Sequence, residues 1–274
     1  MLKSASWLKK NFYNKDIKII DASWYLPNSG RNAFNEYKKN HIKNAIFFDI
    51  DKISDNKSKL PHMLPTKKSF EEKVSKLGIS NKDTLIIYCN EGLLSSPRVW
   101  WTFLYFGHKN VFVLDGGLKS WKNIGGQQTK VVKSFKSSYY KCKKLLNKTI
   151  IDYLKLNSVL NNKNLSFQVL DGRPEERFLQ KAKEPRKNIG KGVIPMSKSS
   201  PFSLFDINGF LKNKTEIRTI FKKIIKKENY IVCSCGSGVA ACNIALALAS
   251  IGKINWCVYD GSWTEWYLRK NKLL

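Results

Sequence analysis

Residues 233–242 read CSCGSGVAAC, so three of the chain's six cysteines fall within ten positions. Three chemistries are open to such a cluster: metal ligation, a redox pair, or a nucleophile on a loop. Structural zinc takes four ligands, usually as two short-spaced pairs. Cys233 and Cys235 have no second pair beside them, and His41, His62 and His108 lie far off in sequence with none paired at helical spacing. A redox pair needs both sulfurs in the same loop, whereas Cys233 continues the apolar run Tyr230-Ile231-Val232 and only Cys235 falls beyond it. The third reading is strand, then CGSGVAA, then helix. A loop of that kind turns backbone N–H groups inwards and adds the positive end of the following helix, which lowers a thiol's pKa and makes its thiolate a nucleophile. Gly236 and Gly238 permit the tight curl. Cys233, Cys242 and Cys257 lie in apolar elements and read as buried bystanders. Cysteine phosphatases use a similar loop closed by an arginine six residues after the cysteine to grip phosphate; that position is Ala241 here, and Ser95 in the first half of the chain.

The elements that must hold Cys235 occur twice. IKIIDA (17–22) matches FQVLDG (167–172), TLIIYCNEG (84–92) matches NYIVCSCGSG (229–238), and VFVLDGGLKSW (111–121) matches WCVYDGSWTEW (256–266), in the same order. A repeat of this length means two copies of one unit. Short β-branched runs alternate with helix-period segments in each copy, which predicts an α/β fold with a mostly parallel central sheet flanked by helices. Helices are expected over 96–106 and 239–251, directly after the two cysteine loops. The expected division is an N-terminal domain at 1–126, a lysine-rich linker at 127–148 without clear period, and a C-terminal catalytic domain at 149–274.

The chain has 274 residues, 49 Lys and Arg against 21 Asp and Glu, and a formal net charge of +28. The lysines are scattered through every segment, Lys38-Lys39, Lys67-Lys68 and Lys222-Lys223 among them, so no basic stripe for nucleic acid is expected. Anionic small molecules should be attracted, with strong salt dependence. No run of 18 apolar residues exists, so no membrane span is expected. The first residues, MLKSASWLKKNF, lack the pattern of a secretory signal, and the expectation is a cytoplasmic protein with reduced thiols.

CGSGVAA, the tandem copies, HIKNAIFFDID (41–51), PHMLP (61–65), SSPRVWWTFLYFGH (95–108), LDGGL and YDGSWTEWY together resemble the rhodanese superfamily, from about Ser6 to Arg269. The resemblance is to the branch that takes sulfur from 3-mercaptopyruvate. Its relatives that use thiosulfate carry cationic residues after the cysteine, where this chain has Gly236 and Ser237. Two tandem rhodanese-like domains are implied, and with them sulfur transfer through a Cys235 persulfide. Pyruvate would be released, and the sulfur handed to a thiol such as thioredoxin or to cyanide. No cofactor or metal is implied. Ser237 is implied to help move the substrate thiol's proton, partnered by a histidine of the first domain, and His41 in HIKNA matches that partner. Arg177 in EERF and Arg186 in KEPR match the family's carboxylate-binding arginines, with the loop of Gly236, Gly238, Val239 and Ala240 around the substrate. Arg173 reads as structural, and Arg98 with Trp100 and Trp101 as packing. The chain departs from the family at Gly192–Ser197, where a family histidine and glycine are missing. It departs also at Gly30-Arg31-Asn32, where an upstream aspartate is absent, and at Cys89, which stands in the non-catalytic loop. A thiosulfate-using enzyme and a non-catalytic binding module are the alternatives.

Overall fold

The computed structural model describes residues 1–143, 145–162, 166–225 and 230–274. The chain divides into two units. Unit 1 comprises residues 1–56, 64–146 and 208–211, and unit 2 comprises 57–63, 147–207 and 212–274. The division departs from the expected boundaries in two ways. Residues 127–146, read as a linker, belong to unit 1, and two short segments, 57–63 and 208–211, belong to the unit of the opposite half.

Unit 1 runs β1 (Leu2–Lys3), α1 (Ala5–Lys10), β2 (Ile17–Asp21), α2 (Ala33–Lys39), β3 (His41–Ile42), β4 (Ile46–Phe47), α3 (Ile50–Ile53), α4 (Lys67–Lys76), β5 (Thr84–Tyr88), α5 (Ser96–Tyr105), β6 (Val111–Leu114), α6 (Gly117–Asn123) and β7 (Gln128–Thr129). Its sheet is parallel with strand order β1-β6-β5-β2-β4. β3 and β7 form a separate antiparallel pair, His41 opposite Thr129. Unit 2 contains β8 (Ile150–Ile151), α7 (Tyr153–Asn161), β9 (Phe167–Asp171), α8 (Glu175–Phe178), β10 (Ser197–Ser199), β11 (Asp206–Ile207), α9 (Lys214–Ile224), β13 (Tyr230–Ser234), α10 (Ala241–Ser250), β14 (Trp256–Tyr259) and α11 (Ser262–Lys270); β12 (Phe210–Leu211) falls in unit 1. Its sheet is also parallel, in the order β10-β9-β13-β14-β8. Replacing each strand by its repeat partner turns one order into the other, so the sequence repeat is a repeat of topology. The fold class follows the sequence reading.

Both sheets are covered on both faces, which is why their central strands read as continuous apolar runs rather than alternating ones. β5 and β13 are each buried along four of their five residues. One face of unit 1 packs Leu8, Ile19, Tyr37, Ile86, Tyr88 and Trp121 together. The matching face of unit 2 packs Val169, Val232, Cys257, Tyr259, Trp263 and Trp266. α10 is buried along Ala241–Ala249, and its alanines let neighbouring elements approach closely. α9 starts at a capping box in which Asn213 and Glu216 satisfy each other's backbone amides, worth about 1 kcal/mol for the cap.

The lysine-rich stretch expected to link the domains is a strap packed on unit 1. Ser138 N donates to Ser75 O, Cys142 N donates to a Glu71 carboxylate oxygen at 2.8 Å, and Tyr140 is fully buried against Phe70 and Phe103. The many lysines on its solvent side hid the apolar anchors spaced along it. Among the described residues no helix is long and apolar enough to cross a membrane.

Candidate active site

Cys235 follows the last residue of β13 and opens a six-residue loop that ends at the first turn of α10. The loop's shape is set by its carbonyls. Cys235 O accepts from Trp263 N at 2.9 Å, and Gly236 O accepts from Thr264 N at 3.0 Å and Thr264 Oγ1 at 2.7 Å. Ser237 O lies 3.3 Å from His62 Nδ1, and Gly238 O accepts from Cys242 Sγ at 3.3 Å. Val239 O and Ala240 O accept from the amides of Cys242 and Asn243. In a trans peptide the N–H points opposite to the C=O. Six carbonyls engaged on the outside therefore turn the intervening amides to the other side, the arrangement that cradles an anion. Gly238, at φ 80°, makes the reversal that a side chain would resist.

The thiol is buried, with Cys235 3% exposed. Its partner was not foreseen from the sequence. Ser262 Oγ accepts the Cys235 amide at 3.1 Å, lies 3.9 Å from Cys235 Sγ, and donates to Tyr259 O at 2.8 Å. Ser262 is fully buried at φ 51°, a left-handed conformation that costs a non-glycine residue about 1–2 kcal/mol. At the matching place in unit 1 stands Gly117, at φ 53°. The same backbone geometry thus takes glycine in one copy and serine in the other. The signal was present in DGG against DGS, but only the conformation gives it meaning.

The other cysteines of unit 2 are bystanders. Burial pushes the Cys233 thiol well up, and pushes Cys257 up to about 12. Cys242 donates back into the loop at Gly238 O. All six cysteines are free thiols.

Arg177 lies over the loop: a Cβ added to Gly236 would sit 2.8 Å from Arg177 Nη2. This accounts for the first glycine, for which a turn conformation is not the reason. Arg177 Nη2 donates to one oxygen of Glu184, and Arg177 Nε is buried without a hydrogen-bond partner. The other Glu184 oxygen takes Arg173 Nη1 at 2.8 Å. Arg173 is buried, forks onto Asp171 with its Nε and Nη2, donates to Gly192 O and stacks on Trp263 at 5.1 Å. Removing one partner of such a buried pair costs about 3–5 kcal/mol, so Arg173 is the structural arginine and Glu184 the bridge that holds Arg177 to it. Arg186 is half-buried on the same segment.

The resemblance points to His41 as the partner of Ser237 and gives His62 no role. His41 is 1% exposed in the core of unit 1, with Nδ1 2.6 Å from Tyr37 O and its ring stacked on Tyr37 at 3.8 Å. It follows Tyr37 by four residues across the end of α2, and these contacts pack it against that helix. The histidine at the Cys235 loop is His62 of PHMLP, buried, at φ 60°, and carried by the short segment that belongs to unit 2. PHMLP belongs to the resemblance, yet the histidine role is carried over to His41, because which unit a seven-residue segment joins is not written in its own residues.

Cys89 is the counterpart of Cys235, since Leu118 N donates to Cys89 O at 3.1 Å as Trp263 N does to Cys235 O. Its thiol faces carbonyls: Gly92 O at 3.2 Å and Glu91 O at 3.7 Å.

Two parallel sheets of one topology, with a cysteine loop at the carboxyl end of the third strand in each, define a tandem rhodanese architecture. The Rhodanese-like domain family matches residues 4–124 and 154–269, and the chain belongs to it. Among individual proteins, it is 41% identical to the thiosulfate/3-mercaptopyruvate sulfurtransferase 1, mitochondrial, of Arabidopsis thaliana, over 96% of this chain and 75% of that one. It is 40% identical to the 3-mercaptopyruvate sulfurtransferase of Mus musculus, over 98% and 92%. The crystal structure of SseA from Escherichia coli, a 3-mercaptopyruvate sulfotransferase, superposes with a TM-score of 0.86 at 32% identity, over 96% of this chain and 98% of that one.

Proposed function

We propose that the protein is a sulfurtransferase that takes the sulfur of 3-mercaptopyruvate on Cys235, releases pyruvate, and passes the sulfur to a thiol acceptor such as thioredoxin or to cyanide. The observation that carries this reading is Arg177 held over Gly236, beside a cysteine loop whose carbonyls are all engaged on its outer side. A planar guanidinium is suited to a carboxylate and its neighbouring ketone oxygen, and Arg186 lies on the same segment. The relatives named above are sulfurtransferases, which supports the reaction class.

In the first step the Cys235 thiolate attacks the substrate sulfur. The S–S bond forms, the C–S bond breaks, and the electron pair leaves on the enolate of pyruvate, which takes up a proton at carbon. The thiol proton of the substrate remains on the outer sulfur or passes through Ser237 and His62 to the enolate. The amide cradle holds the persulfide as it held the thiolate. In the second step an acceptor thiolate or cyanide attacks the outer sulfur, and the electron pair returns to Cys235. Gly236 and Ser237 add no side-chain cation to the loop, so a monoanionic α-keto acid is preferred over the thiosulfate dianion.

The test is steady-state pyruvate release with a dithiol acceptor, alongside intact mass after substrate without acceptor. The expected results are turnover with 3-mercaptopyruvate well above that with thiosulfate, and a gain of one sulfur atom that Cys235→Ser abolishes. No sulfur adduct on the wild type, or an undiminished rate in the variant, overturns the reading.

A further inference from the structure

Unit 1 has a cleft beside the loop of Cys89, the counterpart of Cys235. The cleft measures about 420 Å³ and is lined by Asn90, next after Cys89, and by Leu118 and Lys119 at the start of α6. The repeat matches these to Gly236, Trp263 and Thr264 of the catalytic copy. It therefore opens at the carboxyl ends of parallel strands, where open α/β sheets bind ligands, and its size is within the range of small-molecule sites.

We propose that this cleft binds a compact multivalent oxyanion, of the polyphosphate or polycarboxylate class. Its charges are unequally compensated. Arg31 is committed to Glu36 and Glu91 and stacks over Tyr25 at 3.7 Å. The Glu36 carboxylate is pinned by Arg31, by Tyr25 Oη at 2.7 Å and by Asn90 Nδ2 at 3.1 Å. Lys39, Lys119 and Lys122 line the same cleft from α2 and α6 and have no carboxylate partner among the described residues. With Arg31 shared by two carboxylates, the three lysines leave a net of two positive charges around a concavity with buried Leu118 in its wall, and these focus a positive field there. Asn90 also lines the cleft, and its Nδ2 protons go to Tyr25 and Glu36, which helps to hold that carboxylate in place beside Arg31. The inward cysteine does not compete: the Cys89 thiol is 1% exposed and turned to the Gly92 carbonyl.

The experiment is calorimetric titration of the full chain, as the Cys235→Ser variant, with pyrophosphate and separately with citrate, at low and at physiological ionic strength. Saturable binding of at least one anion, weakening with salt, is expected; which anion binds more tightly assigns the class to phosphate or carboxylate. The double variant K119E/K122E is expected to weaken that binding by roughly tenfold or more, since reversing two rim charges inverts the local field. K222E/K223E on α9 of unit 2 removes the same net charge and is expected to change it less than about twofold, as only screened long-range attraction is lost. K119Q/K122Q, which only neutralises, should fall between. No saturable binding of either anion overturns the proposal, and so does equal weakening by the two double charge reversals.

Discussion

Ser262 and Cys235 are joined twice across the end of the unit 2 sheet: the serine hydroxyl accepts the cysteine's amide proton at 3.1 Å and lies 3.9 Å from its sulfur. The serine holds this position from a left-handed backbone that its repeat partner Gly117 adopts without strain. The hydroxyl's one proton lies on Tyr259 O at 2.8 Å; turned to the sulfur once that is an anion, it would make a charge-assisted hydrogen bond, which is worth more than one between neutral groups. Ser262→Gly separates the two effects. The melting temperature should change little, because relief of the left-handed φ offsets the loss of the hydroxyl's hydrogen bonds to Cys235 N and Tyr259 O. Persulfide formation should slow by about tenfold, the equivalent of roughly 1.4 kcal/mol. Single-turnover pyruvate release and a thermal melt measure both; an unchanged rate would make the serine merely structural.

Gly236 faces Arg177 rather than a turn requirement. In Gly236→Ala the new methyl carbon would lie 2.8 Å from Arg177 Nη2, and the guanidinium, at the end of a flexible side chain, must move. The fold should be little affected. KM for 3-mercaptopyruvate should rise by about tenfold while kcat falls less, the pattern of weakened substrate binding. Steady-state kinetics of the variant check this, and a fall in kcat alone would speak against Arg177 as the carboxylate site.

The two histidines give opposite outcomes. His62→Asn keeps a residue that tolerates positive φ but removes the imidazole beside the Ser237 carbonyl, and kcat should fall by at least about 100-fold if it carries a proton. His41→Phe keeps the ring on Tyr37 and removes the 2.6 Å contact with Tyr37 O; it should cost about 1 kcal/mol of stability and leave turnover near that of the wild type. Equal losses of turnover in both would return His41 to the reaction.

Alkylation should map the thiols by their surroundings. A thiol raised to about 12, as burial raises Cys257 and Cys142, is thiolate at pH 8 in only about one molecule in 10⁴. An unfolded thiol ionises from about pH 8.5 upwards. The native state therefore keeps its full stability from these groups below that pH, and loses it as the pH climbs from there towards 12. Iodoacetamide at pH 8 followed by peptide mass mapping should find Cys235 labelled first and Cys142, Cys233 and Cys257 protected until the chain unfolds. Pre-treatment with 3-mercaptopyruvate should delay labelling of Cys235 only.

Much of this was legible in the residues. The repeat was visible because a strand buried on both faces must be apolar throughout, and three such strands recur in order in each half. Cys235 stood out because a glycine-flanked cysteine between an apolar run and a helix sits where a backbone amide cradle forms. Arg177 came from the resemblance of its segment EERF to the family rather than from spacing, and the fork of Arg173 onto Asp171 agrees with its structural reading. The packed strap at 127–146 was not legible, because its anchors Ser138, Tyr140 and Cys142 touch α4 some sixty residues away and follow no period.

Local order and spacing are properties of the chain itself, and they determined the two sheets, the helices after each cysteine loop and the candidate nucleophile. Which distant segment comes to the loop is decided only when long-range packing is complete. Tertiary structure alone brought His62 to Ser237 and placed His41 against Tyr37. It also set a serine on a left-handed backbone with its hydroxyl beside the Cys235 sulfur, and turned the Cys89 thiol towards carbonyls.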